Sequence, residues 1–291
     1  MWFGIVMGLL ASASWAAANV FVQRSSRALG PFRALLWTQV AGGLAVVPLA
    51  VMLDVRVEPI DLRLVGWIAF AGLASVVAYA TMFWSYERGN LSVVVPVLSS
   101  WSVIAAAFSI VVLGQHLRKN QLAGAALVAA GVVLVSRFAQ RDAAGRSGAL
   151  EARRSRAALL TAAAAAVGFG LLIPVIDRLA PALGRLGAIP VVFAADLLLG
   201  LPLALVRRID LRPPPRAIWP AVLGGALFET AGFVWISLGV SRAPVAIVSP
   251  LAGLASAFTV VFAWIVLGER PAPSLFAGAA LVCAGVVVLA L

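Results

Sequence analysis

Two carboxylates lie in the middle of long apolar runs, where a charge is costly. Asp196 belongs to the run from Leu186 to Val206, and Glu229 belongs to the run from Ile218 to Leu238. A charged carboxylate at the centre of a bilayer costs about 2.5–3.5 kcal/mol on insertion scales, so such residues normally face a bundle interior or a wet cavity. All 22 Lys and Arg residues lie between the runs or at their ends, so neither carboxylate has a basic partner within its run.

A carboxylate without a fixed cation can exchange a proton, and Glu229 is the first candidate for coupling the movement of a solute to protons. The alternative is a protonated Glu229 that is hydrogen-bonded within the bundle and purely structural. Asp196 is the second candidate. For Asp196 the sequence favours equally a residue that lines a cavity and a packed, protonated one.

Polar and aromatic side chains near these carboxylates are predicted to line a cavity. Helical spacing puts Phe233 on the same face as Glu229, and it puts Ser75 and Tyr79 on one face of an earlier helix. The other candidates at membrane depth are Trp15, Asn19, Gln39, Ser99, Trp101 and Ser256. Taken alone, Trp15, Asn19 and Gln39 are each more often contacts between helices than contacts to a ligand.

Two prolines, Pro96 and Pro250, also lie inside apolar runs. Each removes a backbone hydrogen bond and frees a carbonyl, which is tolerated only against protein or a water-filled cavity. Ser99 and Trp101 follow the first proline, and Ser256 follows the second. We therefore expect a kink at each proline, bordering the cavity and able to act as a gate.

The composition of the chain indicates that these residues lie within a lipid bilayer. Of 291 residues, 63% are hydrophobic and 11% are charged, and the mean hydropathy is +1.06. Apolar runs of about 20 residues, each long enough to cross a bilayer, recur along the chain. They predict ten transmembrane helices, at Trp2–Val22, Phe32–Leu53, Leu64–Tyr86, Leu91–Leu113, Gln121–Ser136, Ala157–Ile176, Leu186–Val206, Ile218–Leu238, Pro244–Leu267 and Ser274–Leu291. The first run has no basic residue before it, so we interpret it as a retained helix and not as a signal peptide.

Charge and rare residues bear on several classes of partner. The net charge of +11 comes from basic residues between the apolar runs, which indicates topology signals and contacts to lipid headgroups, not nucleic-acid binding. Cys283 and His116 are the only residues of their types, so no disulfide can form within the chain and no Cys or His cluster can bind a metal. The sequence predicts no cofactor, and its expected partners are a small-molecule substrate and membrane lipids.

An internal repeat organises the chain. At an offset of 154 residues, 12 of the 23 positions from Leu113 to Val135 are identical, and Pro96 aligns with Pro250. The repeat predicts a first five-helix unit at 1–137, an Arg-rich connector at 138–156 and a second unit at 157–291. Because each unit has an odd number of helices, the second enters the membrane from the opposite side. Such inverted repeats are typical of secondary transporters, in which two similar halves open a shared site alternately to each side.

The residues around the last two runs carry a family resemblance. Leu267-Gly268-Glu269-Arg270, the small residues from Phe276 to Val287, and Ser249-Pro250 resemble the drug/metabolite transporter superfamily, in its ten-helix EamA-type branch. In the first repeat Gln115 and His116 replace the Glu-Arg pair, so a role for this pair in closing the transporter is not carried over to that half. The resemblance implies an all-α membrane protein of ten helices in two inverted repeats, in the inner (plasma) membrane.

For function, the resemblance implies a secondary transporter that exports a small metabolite, an amino acid or a hydrophobic amine by alternating access. Two alternatives remain open: a non-transporting partner or lipid-scrambling subunit, and, less favoured, a membrane-embedded enzyme. The sequence has no clustered acid, base and nucleophile set, so we predict that the protein is not an enzyme.

Two indications of membrane orientation disagree. Connectors after odd-numbered runs contain 15 Lys and Arg residues and even-numbered connectors contain 7, so the positive-inside rule places both termini outside. Members of the resembled family usually have both termini inside. Orientation and oligomeric state are left open at this point.

Overall fold

A computed structural model describes residues 2–53, 61–116, 149–184 and 186–267, with separate positions between 118 and 134 and between 277 and 288. This part of the chain is helical and contains no strand. The helices with defined bounds are α1 (Trp2–Leu29), α2 (Pro31–Leu53), α3 (Leu62–Arg88), α4 (Leu91–Leu98), α5 (Trp101–Val111), α6 (Ala149–Leu183), α7 (Ala188–Val206), α8 (Trp219–Val240), α9 (Val245–Ala252) and α10 (Ala255–Leu267).

Six of these helices, α1, α2, α3, α6, α7 and α8, are long and apolar enough to cross a membrane. They correspond to predicted spans one to three and six to eight. Predicted spans four and nine are each divided into two short helices, α4 with α5 and α9 with α10. The predicted fifth and tenth spans, Gln121–Ser136 and Ser274–Leu291, lie largely outside the described residues.

Several helices are longer than the apolar runs that predicted them. Helix α1 continues to Leu29, and α3 continues to Arg88. Helix α6 begins at Ala149, inside the stretch predicted as a connector, whose residues up to 148 lie outside the described part. Charged residues end an apolar run, but Arg, Glu and Ala favour helix, so the backbone stays helical into the headgroup region. Gly30, with φ of +78°, follows α1 in the left-handed conformation that ends many helices.

The two halves of the chain pack against each other in matched pairs of helices. The most extensive contacts are between α1 and α8 and between α3 and α6. The 154-residue repeat relates these pairs, because α6 is the equivalent of α1 and α8 is the equivalent of α3. Helices α4 and α5 likewise pack on α6, while α9 and α10 pack on α1. The halves are therefore interleaved, and each is completed by helices of the other.

The breaks in the fourth and ninth spans occupy equivalent positions. The Ser100 N–H donates to the Val97 carbonyl at 3.2 Å, three residues back. At the offset of 154, the Leu254 N–H donates to the Leu251 carbonyl at 3.1 Å. The kinks predicted at Pro96 and Pro250 are therefore breaks that follow each proline by three to four residues.

Serine hydroxyls bind carbonyls at these breaks. The Ser100 Oγ donates to the Val97 carbonyl at 2.7 Å, and the Ser102 Oγ donates to the Ser99 carbonyl at 2.9 Å. A serine hydroxyl competes with the backbone for a local carbonyl, which explains why each helix ends at the small residues and not at the proline itself. The breaks also touch, because a Cβ on Gly253 would lie 2.5 Å from the Ser102 Oγ.

Close helix contact in the α3–α6 pair depends on Gly168. A Cβ at this position would lie 2.8 Å from the Ala78 Cβ and 2.9 Å from the Ala74 carbonyl oxygen. We expect Gly168→Ala to lower the free energy of unfolding by about 1–3 kcal/mol, since backbone atoms cannot move aside. The measurement is the thermal unfolding midpoint of the purified protein in detergent.

Gly66 is the matched control for this prediction. It lies in α3, the helix that packs on α6 of Gly168, and no atom lies within 4 Å of a Cβ placed on it. Gly66→Ala should leave the midpoint unchanged or raise it, because alanine is the better helix former by about 1 kcal/mol. Equal effects of the two substitutions would contradict the packing role of Gly168.

Candidate functional site

An open cavity, with about 440 Å³ of empty space when the solvent at its mouth is included, lies between the two halves of the protein. Six of its lining residues were predicted from the sequence: Trp15, Asn19, Ser99, Trp101, Glu229 and Phe233. Six others were not: Met82, Val95, Leu98, Phe169, Ile173 and Ala255. The lining comes from α1, α3, α4, α5 and the first break in one half, and from α6, α8 and α10 in the other. The site therefore exists only where the halves meet.

Glu229 is the carboxylate of this cavity. Its side chain is only 5% exposed, and the Tyr79 hydroxyl donates to its Oε1 at 3.0 Å. The bond joins α8 to α3 across the interface between the halves. Among the described residues no salt bridge involves Glu229. Glu229 thus remains a carboxyl group that is held by a neutral donor and opens into a cavity.

Aromatic rings form one continuous wall beside Glu229. Trp15 makes edge contacts with Trp101 and with Phe233, at 5.5 Å between ring centroids in both cases. Phe233 lies 6.4 Å from Tyr79, and Tyr79 lies 5.0 Å from Phe169. Edge-to-face contacts at these distances are favourable and fix the rings relative to one another. The wall is therefore preformed, and the ring of Tyr79 lies behind it, outside the lining of the cavity.

Trp15 occupies space that a small residue on the opposite helix provides. A Cβ on Gly232 of α8 would overlap the Trp15 indole, with Nε1 the nearest atom. This Nε1 is buried and has no hydrogen-bond partner within the described part of the chain. Gly232 thus allows a bulky ring at the helix interface and sets the position of the cavity wall.

A second buried polar cluster surrounds Asp196. The carboxylate is 1% exposed and accepts hydrogen bonds from Gln39 Nε2 and from the Ser75 Oγ, the latter at 2.9 and 2.8 Å to its two oxygens. These three residues come from α7, α2 and α3. None of them lines the cavity. Ser75 is one helical turn from Tyr79, so α3 carries a donor to each of the two carboxylates.

A third group of hydrogen bonds joins α1 to α3 in its own half and to α10 in the other half. The Tyr86 hydroxyl donates to the Asn19 Oδ1 at 2.6 Å, and the Asn19 Nδ2 donates to the Thr259 Oγ1 at 2.9 Å. Neither Tyr86 nor Thr259 was predicted as a site residue. Tyr79 and Tyr86 are the only tyrosines of the chain, and each donates to a buried polar group.

The remaining predicted positions are Ser256 and the two prolines. Ser256 is buried at the second break, donates to the Gly253 carbonyl at 3.3 Å and is not among the residues that line the cavity. Pro96 and Pro250 lie within α4 and α9, and each precedes the break of its span. A role of Ser256 in lining the cavity and of the two prolines in gating stays a prediction. In the part of the chain that the structure describes, no group of His, Cys, Asp and Glu side chains is arranged to bind a metal.

The repeat contains a signal that identifies half of the missed lining residues. At the offset of 154, Trp15 corresponds to Phe169, Asn19 to Ile173 and Trp101 to Ala255, and all six line the cavity. Applying the offset to the candidates of the first half would have found their partners. Helical spacing gives a signal for Met82, which lies on the same face of α3 as Ser75 and Tyr79. Val95 and Leu98 give no such signal, because an apolar side chain in an apolar run looks the same whether it faces lipid or a cavity.

Comparison with known proteins identifies the family of this chain. The model of the EamA-like transporter family matches residues 2–137 and again residues 156–291. The chain belongs to this family. The match confirms both the resemblance found in the sequence and the fold class, an all-α membrane protein of ten helices in two inverted five-helix repeats.

A solved structure agrees with this assignment of the fold. One crystal structure, of a protein with 20% sequence identity, has a TM-score of 0.73 and covers 98% of this chain and 95% of its own. At that identity the likeness shows the fold alone. No curated protein matches the chain. This EamA-like chain is thus a multi-pass membrane protein of a transporter family.

The Asp196 cluster generates a prediction about coupling between two side chains. Asp196→Ala and Ser75→Ala each remove one end of the same pair of hydrogen bonds, so their effects on the free energy of unfolding should not add. We expect a coupling energy of about 0.5–3 kcal/mol from thermal unfolding of the two single variants and the double variant in detergent. Glu87→Gln combined with Ser75→Ala is the control pair and should be additive. Additive effects of the first pair would mean that the hydrogen bonds do not stabilise the protein.

Proposed function

We propose that this chain is a secondary active transporter of the drug/metabolite class, which exports a small metabolite, an amino acid or a hydrophobic amine across the inner membrane. One observation carries the proposal. A buried carboxyl group, Glu229, opens into a cavity that is formed jointly by two inverted, interleaved halves. Transporters of this construction place substrate and coupling-ion sites at such an interface.

Alternating access is supported by the two breaks in the spans. Each half contributes one discontinuous span, and the breaks contact each other at Ser102 and Gly253. In the first break, residues 98, 99 and 101 line the cavity, and residue 255 does so just after the second. A discontinuous helix can change its angle without losing a continuous ladder of backbone hydrogen bonds. A change of angle at one break would open the cavity to one side while the equivalent break stays closed.

Proton coupling is assigned to Glu229. In the ionised form the carboxylate attracts a cation or a hydrogen-bond donor, and in the protonated form it can lie in the apolar bundle at little cost. The titratable groups near it are the Tyr79 hydroxyl from α3, which donates to it, and, farther away, the Tyr86 hydroxyl from α3 and the Asp196 carboxyl from α7. Export then exchanges one proton moving inward for one solute moving outward, with Glu229 carrying the proton during the return step.

Asp196 has a different place in this proposal. Its oxygens are occupied by Gln39 and Ser75, and it does not line the cavity. The cluster joins α2, α3 and α7, three helices that any rocking of the halves must move together or apart. We therefore propose that the hydrogen bonds of Asp196 change when the cavity closes. Glu229 is the residue that exchanges the proton with solute.

The first experiment tests transport and coupling together. Reconstituted wild-type protein should accumulate solute against a concentration gradient when a pH gradient is imposed, by at most about tenfold for one pH unit and one proton. Glu229→Gln should abolish this accumulation, since an amide cannot release a proton, while downhill exchange of solute continues. The measurement is uptake of radiolabelled amino acids and amines into proteoliposomes.

Glu87→Gln is the control for this experiment. Glu87 lies at the end of α3, 3.8 Å from an Arg88 nitrogen, and does not line the cavity. It should accumulate solute as the wild type does. Accumulation by Glu229→Gln that keeps its full dependence on the pH gradient would remove the coupling role. Failure of the folded wild type to move any solute would favour the non-transporting partner or scramblase.

A further inference from the structure

The lining of the cavity has a charge pattern that selects between substrates. Among the described residues of the lining, Glu229 is the only ionisable one, and none is Lys, Arg or His. The basic residues of the sequence all lie between apolar runs or at their ends. An ionised Glu229 therefore makes the cavity negative, and none of the described lining residues can make it positive.

The other polar groups of the described lining offer little to an anionic ligand. Asn19 accepts from the Tyr86 hydroxyl and donates to the Thr259 hydroxyl. The indole nitrogen of Trp15 lies against Gly232 of α8. A substrate carboxylate would need a cation or several free donors to replace its water, and the described lining offers no cation and a single buried unpaired donor, the Trp15 Nε1. An amino acid would have its ammonium satisfied at Glu229 and at most one buried donor for its carboxylate.

The aromatic wall supplies the opposite kind of contact. Trp15, Trp101 and Phe233 line the same cavity as Glu229, with ring centroids 5.5 Å apart. Tryptophan attracts a cation near its ring face most strongly, and the attraction increases when the cation is desolvated. Apolar rings also accept the hydrocarbon body of a ligand. A carboxylate beside an aromatic wall suits an ammonium group attached to an apolar body.

The 154-residue repeat shows that the tryptophans and the carboxylate each occur in one half only. The tryptophans come from the first half, and their equivalents in the second half are Phe169 and Ala255. Glu229 comes from the second half, and its equivalent, Ser75, is bound to Asp196 outside the cavity. The carboxylate and the larger rings thus face each other once across the interface, which gives a ligand one polar end and one apolar end.

We propose that the cavity binds hydrophobic organic amines in their cationic form and discriminates against amino acids with the same side chain. The ammonium lies at Glu229, and the apolar body lies against Trp15 and Trp101. The inference rests on the proposed function for its choice of site, and it narrows the three substrate classes given there to one.

The test is equilibrium binding to the purified protein in detergent, which does not require transport. Four probes share one ring and differ in charge: phenethylamine, 2-phenylethanol, phenylalanine and 3-phenylpropionate. We expect the wild type to bind phenethylamine at least about tenfold more tightly than the other three, as a charge-assisted contact and a desolvated cation–π contact together require. Glu229→Gln should remove the preference for the amine over the alcohol, and Glu87→Gln should keep it.

The aromatic contribution has its own pair of variants. Trp101→Leu keeps an apolar side chain but removes the ring, and should weaken amine binding by about two- to thirtyfold without changing that of the alcohol as much. Trp101→Phe should restore part of the loss. Trp15→Leu and Trp15→Phe repeat the test at the second ring if the first pair does not fold, as judged by size-exclusion chromatography and thermal unfolding.

The results separate this inference from the proposed function. Phenylalanine binding that equals or exceeds phenethylamine binding overturns the inference, and so does a folded wild type that binds no amine at millimolar concentration. Either result leaves transport itself standing if proteoliposomes accumulate another solute. Conversely, amine binding that depends on Glu229 supports the inference even if no gradient drives uptake, and in that case the proposed function fails alone.

Discussion

The hydrocarbon core of a bilayer offers no water to a buried polar group, so each carbonyl, hydroxyl and carboxyl group at that depth needs a partner within the protein. The structure meets this constraint in three places. Gln39 and Ser75 bind Asp196, Tyr79 binds Glu229, and serine hydroxyls bind carbonyls at the helix break after Leu98. In each case the partner is a neutral donor. In these three places the polar groups are satisfied without a fixed positive charge, and neither carboxyl group has an ion pair within the described part of the chain.

This constraint also explains why small residues matter to the site. The bonds between polar groups join helices that must approach closely, and Gly168 and Gly232 permit that approach at α3–α6 and at α8. Without hydrophobic driving force in lipid, close packing of small residues is the main source of helix association. Gly168 thus lets α6 approach the backbone of α3, and Gly232 leaves room beside Glu229 for the Trp15 ring that lines the cavity.

Repetition and asymmetry have separate roles in the molecule. The backbone repeats: helix pairs, breaks and three pairs of lining positions all follow the 154-residue offset. The side chains differ at those positions. Asp196 corresponds to Gly42, Gln39 to Phe193, and Glu229 to Ser75. Two similar halves can exchange conformations, as alternating access requires, while unequal side chains give the cavity one charged wall and one aromatic wall. A fully symmetric cavity would have two carboxylates or none.

The sequence by itself determined the fold class, the repeat and the two carboxylates, because apolar runs of bilayer length and a repeat without gaps are properties of the chain alone. It also contained three pairs of lining positions, at Trp15, Asn19 and Trp101 and their equivalents. Helix ends were less predictable, since charges end an apolar run without ending a helix. The breaks in the fourth and ninth spans were expected at the prolines and lie at the small residues beyond them.

Only the tertiary structure decided that Glu229 faces the cavity while Asp196 is enclosed by Gln39 and Ser75. These contacts join residues 121 to 157 positions apart in the chain. They depend on the rotation of each helix about its own axis. In a soluble helix the polar face reveals that rotation, but a helix surrounded by lipid and protein is apolar on every side. The sequence identifies the side chains that can exchange a proton or bind a ligand, and the packing of the helices determines which of them come into contact.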